Sequence, residues 1–505
     1  MDGYSFISTA FPLLFAGLLI LYHLLPGRLR PVLLLVFSFL LYAQEGGYAL
    51  LFLFGVILLC YLGGLWLSYL KQKEKAALAK GELSREEKQQ LRKLAKRQQR
   101  LALWTILLSA FGVLALTKFP LLPDGGSLVM PLGLSFFLFQ ALGYVIDVKM
   151  GKIAAERNLL SFALFVSFFP QLIQGPIGRY KDLTPTLLSG NRPTTEDTKT
   201  GLIRMVTGYI KKLVLADRLT AAVALLWADR SSGAAVALGA VLYAFRLLWD
   251  FSGGIDIALG AARMLGIRMA ENFRAPYLSR NLEEYWTRWH ISMGSWFRDY
   301  IFYPVNMSPR ILHLGRLSKG KRNILSRISL YISLLLTWLA TGLWHGNSWN
   351  YVLWGLTNGI ILILREELRP LRERAVAHPG GQGREKLRNA LSVLCTFILL
   401  CLIRLWDCYP APAETVAAFW RLFTAFFAAP LPVLSFSITD IVLLSAGFAA
   451  TLFGDIRIYR NKELQPAKWP EALFALAVIA GILLILVFGK YGIGYTATDF
   501  IYGQF

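Results

Sequence analysis

The chain has 505 residues, 55% of them hydrophobic, with a mean hydropathy of +0.50 and a formal net charge of +22. So apolar a composition excludes an ordinary soluble globular domain. The basic excess does not point to nucleic acid, because Lys and Arg gather in the loops between apolar segments, as the positive-inside rule describes.

In chain order, apolar segments occupy residues 11–25, 31–43, 50–70, 101–117, 128–148, 159–174 and 202–227. They continue at 234–249, 328–344, 351–364, 390–405, 438–453 and 470–488. A spanning helix needs about 20 apolar residues, down to about 17, so the shorter segments are re-entrant or extended by their flanks. The pattern predicts an all-α polytopic integral membrane protein with about 11 to 13 membrane segments. It is read as a single membrane-embedded domain over 1–505. Segment 11–25 has no small-residue cleavage site after it, so it is expected to be a retained first helix rather than a removed signal peptide.

The densest charge lies at 71–100, KQKEKAALAKGELSREEKQQLRKLAKRQQR. It is expected to be a basic cytoplasmic insertion, either a solvated helical hairpin or one long helix, supported by Glu–Lys pairs three or four apart. A polybasic segment beside a bilayer also favours anionic lipid head groups. With this segment inside, loop 28–30 is inside and 44–47 outside. The basic stretch 263–327 is inside, as is the loop carrying Arg365, Arg369, Arg372 and Arg374, and loop 457–468 has the same bias.

Residues 272–303 interleave Arg274, Arg280, Glu283, Glu284, Arg288, Arg298 and Asp299 with bulky aromatics. Each mid-bilayer charge costs about 2.5 to 3.5 kcal/mol, so this stretch is no lipid-facing span. Interfacial amphipathic helices, or re-entrant elements lining a watery cavity, fit instead. Two of the five histidines sit among aromatics here and beyond: His290 and His345, the latter flanked by Gly342 and Gly346. Glycines there permit a broken helix. A neutral imidazole titrates near physiological pH and suits proton transfer. His23, His313 and His378 lie near segment ends or in basic loops. Asp250 and Asp256 flank Gly253–Gly254 and either line a cavity or make structural hydrogen bonds. Arg179 and Asp182 fit a re-entrant or interfacial turn after Gly175–Pro176. Cys60, Cys395, Cys401 and Cys408 show no metal spacing and no disulfide pattern, and no metal site is expected.

Several blocks recur in a recognisable order: PLGLSFFLFQALGYVIDVKMG (131–151), FPQLIQGPIGRYKDL (169–183), DFSGGIDIALG (250–260) and ENF (271–273). EYWTRWHISMGSWFRDYIFYP (284–304), GLWHGNSWNYVLWG (342–355) and DFIYGQF (499–505) follow. Together they resemble the membrane-bound O-acyltransferases, in particular the alginate O-acetyltransferase branch. The resemblance implies a helical bundle around a tunnel across the membrane, with His345 as catalytic base and His290 at the second active-site position. Tunnel candidates are Trp344, Asn347, Arg298, Asp299, Asp250 and Asp256, with Trp344, Asn347 or backbone amides near Gly346 aiding an oxyanion. The chain departs from the branch in reading YPVNMSPR after the RDY block instead of Pro-Leu-Gly-Gly, and in carrying Asn358 where members often have histidine.

The implied activity is acyl transfer from a cytoplasmic thioester donor, acetyl-CoA as co-substrate with no bound cofactor, towards a cell-envelope polysaccharide at the bacterial cytoplasmic membrane. Membrane lipids and a separate extracytoplasmic, hydrolase-like acetyltransferase are the implied partners, and no nucleic acid. D-alanyl transfer to teichoic acid from a carrier-protein thioester is the alternative within the superfamily. A lipid or polysaccharide transporter without covalent chemistry, or a pseudoenzyme scaffold, are rivals of other classes. A transporter would be expected to show inverted repeats and paired discontinuous helices, which the sequence lacks.

Overall fold

The computed structural model describes residues 6–79, 83–119, 130–172, 174–316, 324–371, 382–462 and 465–491. His378, Arg372, Arg374 and the 499–505 block lie outside the described residues. Among those described, the chain is helical throughout, with one isolated antiparallel bridge between Phe273 and Trp289. Among the described residues, eight helices are long and apolar enough to cross a membrane, and Ala10–Leu24 is a shorter apolar helix. Their outer faces carry exposed Leu, Ile and Phe, which water would not tolerate in such density but hydrocarbon does.

Several apolar runs become shorter pieces. Segment 128–148 yields Leu134–Met150, and 159–174 yields Leu159–Ser167 and Phe169–Leu172. Segment 202–227 is divided among Thr195–Tyr209, a π-helical stretch Ile210–Ala216 and Asp217–Ala228. Segment 351–364 lies within Trp349–Glu367.

The chain forms two compact units. The first comprises residues 1–205 and 256–270. Its Gly47–Ala79 and Arg85–Lys118 are each about 50 Å long, well beyond a hydrocarbon core of about 30 Å. Residues 71–79 and 85–100 are therefore the projecting ends of two paired spanning helices. Gln99 Nε2 donates to Glu74 Oε2 at 2.8 Å between them, and a Ser84–Glu87 capping box starts the return helix. Leu134–Met150 is the core of this unit, buried over nearly its whole length. Lys71 Nζ donates to the Val148 carbonyl at its end (2.7 Å), and the Tyr42 hydroxyl donates to the Leu132 carbonyl before its start (2.8 Å). The buried Arg30 donates to the carbonyls of Tyr22 (2.9 Å) and Gly190 (2.7 Å), so its charge is solvated by backbone.

The second unit comprises residues 206–255 and 271–503. Helices Ile324–His345 and Trp349–Glu367 form a tight antiparallel pair within it. Glycines permit the close approach: a Cβ at Gly342 would strike the Tyr351 carbonyl, and one at Gly355 the Trp338 carbonyl. Trp249 Nε1 donates to Thr451 Oγ1 (2.8 Å), which ties Gly233–Met264 to Ile438–Tyr459. Lys212 projects from the π-helical stretch with its ammonium fully buried, 3.0 Å from Asp217 and 2.6 Å from Asp250. π-Helical turns recur at functional or strained positions, and this one carries a buried cation that two carboxylates neutralise.

Candidate active site

His345 is the last residue of Ile324–His345, and only 5% exposed. The helix stops there rather than breaking internally. Gly346 follows, where a Cβ would run into the Tyr351 ring, and Ser348 caps the next helix by accepting from the Asn350 amide at 3.2 Å. This short reversal folds aromatic rings around the imidazole. Trp344 lies 4.7 Å away and Trp354 4.8 Å, both edge-on, while Tyr351 stacks at 6.2 Å.

His290 is fully buried and adopts a left-handed backbone conformation (φ 47°, ψ 51°) at the start of Ile291–Phe297. Such a conformation is unfavourable for a residue with a Cβ and persists only when its surroundings hold it. Asn272 does so. Its carbonyl accepts from the Ile291 amide (3.1 Å), and its Oδ1 accepts from both the Ser292 amide and hydroxyl (2.9 Å each). With Oδ1 so engaged, Nδ2 is the amide atom left to face His290 Nδ1, at 3.2 Å. Asn272 therefore donates to Nδ1, and the imidazole proton is assigned to Nε2. Burial pushes the His290 pKa down to about 3, so the ring is neutral at physiological pH.

The two histidines share a neighbour. The Trp344 indole lies 6.0 Å from the His290 ring and 4.7 Å from that of His345. Phe251 stands edge-on to His290 at 4.8 Å. Behind His290, the buried Arg404 sits 4.6 Å from the Trp289 ring and donates to the Tyr285 hydroxyl at 2.7 Å. Asn358 is fully buried. It accepts from Trp286 Nε1 (3.1 Å) and donates to the Trp354 carbonyl (2.9 Å), one helical turn from the ring that flanks His345.

The other candidates fall elsewhere. Asn347 is exposed just beyond His345. Arg298 and Asp299 pair with each other at 3.4 Å near the surface of a second π-helical turn, Arg298–Phe302. Asp250 belongs to the Lys212 ion cluster, although its neighbour Phe251 touches His290. Asp256, in the first unit, pairs with Arg204 at 2.9 Å. Sequence reasoning passed over Asn272, Arg404 and Trp354. The ENF block carried the only signal for Asn272, and nothing in the local sequence around Arg404 marks it as Trp289's neighbour.

Both histidines fall within residues 152–405, which match the model of the membrane-bound O-acyltransferase family. The chain belongs to that family. It is 33% identical over 352 residues to the protein named probable alginate O-acetylase AlgI in Pseudomonas aeruginosa, covering 68% of this chain and 62% of that protein. It is 29% identical over 299 residues to the peptidoglycan O-acetyltransferase of Helicobacter pylori, covering 54% and 52%. It is 30% identical over 318 residues to the teichoic acid D-alanyltransferase of Streptococcus thermophilus, covering 60% and 74%. The chain thus spans about half to two-thirds of the length of the alginate relatives it matches.

Proposed function

We propose that this chain is an O-acyltransferase of the bacterial cytoplasmic membrane. It moves an acyl group, acetyl from acetyl-CoA, from a cytoplasmic thioester towards a cell-envelope polysaccharide by way of an extracytoplasmic partner. The observation that carries the reading is the pair of buried histidines on one indole, inside the family-matched segment. The activities for which the relatives are named, O-acetylation in two and D-alanylation in the third, support the reaction class.

In this reading His345 accepts the proton of the attacking hydroxyl. The C–O bond forms, the thioester C–S bond breaks, and the proton leaves with the thiol. A base so positioned supplies about 10²- to 10⁴-fold in rate. The neutral His290, carrying its proton on Nε2, offers a donor to charge developing on the acyl oxygen. Trp344, Tyr351 and Trp354 wall the His345 imidazole from water, which strengthens such interactions. A second reading, D-alanyl transfer from an acidic carrier protein, is favoured by the basic surface of residues 71–100 and by the Streptococcus relative.

The test is chemical analysis of the envelope. Polysaccharide from cells carrying the wild-type protein or His345→Ala is treated with mild base, and the released acids are measured. Ester acetate present in wild type and lost in the variant supports the proposal. D-alanine in its place supports the second reading, and identical ester content in both strains refutes transfer by this site.

A further inference from the structure

We propose that the second unit holds an anionic glycerophospholipid of the surrounding bilayer in a specific site, separate from the histidine pair. The site is an open groove of about 680 Å³ between Trp349–Glu367, Gln382–Cys408 and the chain at 280–282. Its lining has two chemistries. Leu364, Leu368, Leu387 and Leu391 make one part apolar, and Arg280, Arg365, Arg384 and Arg388 make the other cationic.

The arginines differ in what already satisfies them. Arg365 pairs with Glu283, and Arg280 lies 3.6 Å from Glu284. Arg384 and Arg388 pair with no carboxylate among the described residues. They lie four residues apart near the start of Gln382–Cys408 and so share one helix face, beside Leu387 and Leu391 one turn further in. Two adjacent guanidiniums over a leucine-lined groove match a phosphodiester with acyl chains attached. A soluble phosphate compound would use the arginines but leave the leucine wall uncovered. The basic ends also lie on the side that the arginine-rich loop after residue 364 assigns to the cytoplasm, where basic pockets between membrane helices collect anionic lipid head groups.

Native mass spectrometry of the full-length protein in detergent tests this, with titrated phosphatidylglycerol or phosphatidylcholine as probe. Each arginine beside a lipid head group is worth about fivefold in affinity, so Arg384→Gln with Arg388→Gln should weaken phosphatidylglycerol retention about 30-fold. The same charge loss at another exposed basic loop, Arg460→Gln with Lys462→Gln, should leave it unchanged, which separates a site from general charge. Leu391→Trp, which fills the groove without touching the charge, should also reduce retention. Equal retention of the two lipids, no loss in the arginine variant, or displacement of the lipid by free coenzyme A would each overturn the proposal.

Discussion

Replacing Asn272 by alanine removes the side chain that holds His290 in its left-handed conformation. The Ser292 amide and hydroxyl lose their 2.9 Å acceptor and His290 Nδ1 loses its 3.2 Å donor, in a pocket closed to solvent. The hydroxyl can turn to another acceptor, but the amide cannot. At about 1–3 kcal/mol for a buried group deprived of its partner, the variant should lose about 2–4 kcal/mol of stability. The strained His290 backbone is then free to relax, and a displacement of about 1 Å in a reacting group can cost about 10²-fold in rate. The expected result is a lower thermal-unfolding midpoint in detergent, with thiol release from acetyl-CoA reduced about 10²-fold. Asn272→Asp separates the two effects. It keeps an acceptor for Ser292 but sets a carboxylate beside His290, which favours the charged ring and raises its pKa from about 3. The acidic limb of the pH–rate profile should then move to higher pH. A wild-type midpoint and turnover in Asn272→Ala would refute the positioning argument.

Other outcomes follow from the same packing. Lys212→Met should cost about 3–5 kcal/mol by leaving Asp217 and Asp250 buried without their cation, and adding Asp217→Asn and Asp250→Asn should restore much of it; thermal unfolding of the two variants decides. Gly355→Val drives a side chain into the Trp338 carbonyl and should cost at least about 1–3 kcal/mol, with helices Ile324–His345 and Trp349–Glu367 forced apart. It is read as lost monodisperse yield and midpoint, against an unchanged Gly383→Ala control. The His290 pKa is lower folded than unfolded, so the unfolded chain binds more protons between about pH 6.5 and 3. The stability from its neutral burial is complete above about pH 6.5 and is lost as pH falls towards 3. His290→Gln should flatten that part of the midpoint–pH curve.

Much of this architecture is legible in the sequence because bilayer burial writes long apolar runs, and the ordered aromatic and glycine blocks mark the family. The two histidines stand out as rare polar groups in that setting. What the sequence hides is tertiary. Segment 202–227 reads as one apolar run, yet Lys212 within it is buried against Asp217 and Asp250, and the backbone widens into a π-helical stretch there. Hydropathy counts such a lysine as one charge and has no means of pairing it with a carboxylate 38 residues on. The left-handed His290 is equally silent, since its conformation is set by Asn272, 18 residues earlier, and not by local propensity. The basic stretch 71–100 reads as an insertion because its charge ends the apolar pattern, whereas residues 71–79 and 85–100 continue the long helices Gly47–Ala79 and Arg85–Lys118.

In the proposed reaction His345 is the base of a thioester-consuming enzyme. The most direct test of that role is the rate at which the purified full-length protein releases free thiol from acetyl-CoA, in wild type and in His345→Ala of matched thermal-unfolding midpoint. Turnover in wild type and a fall of at least about 10²-fold in the variant are expected. Equal rates in the two proteins would contradict it.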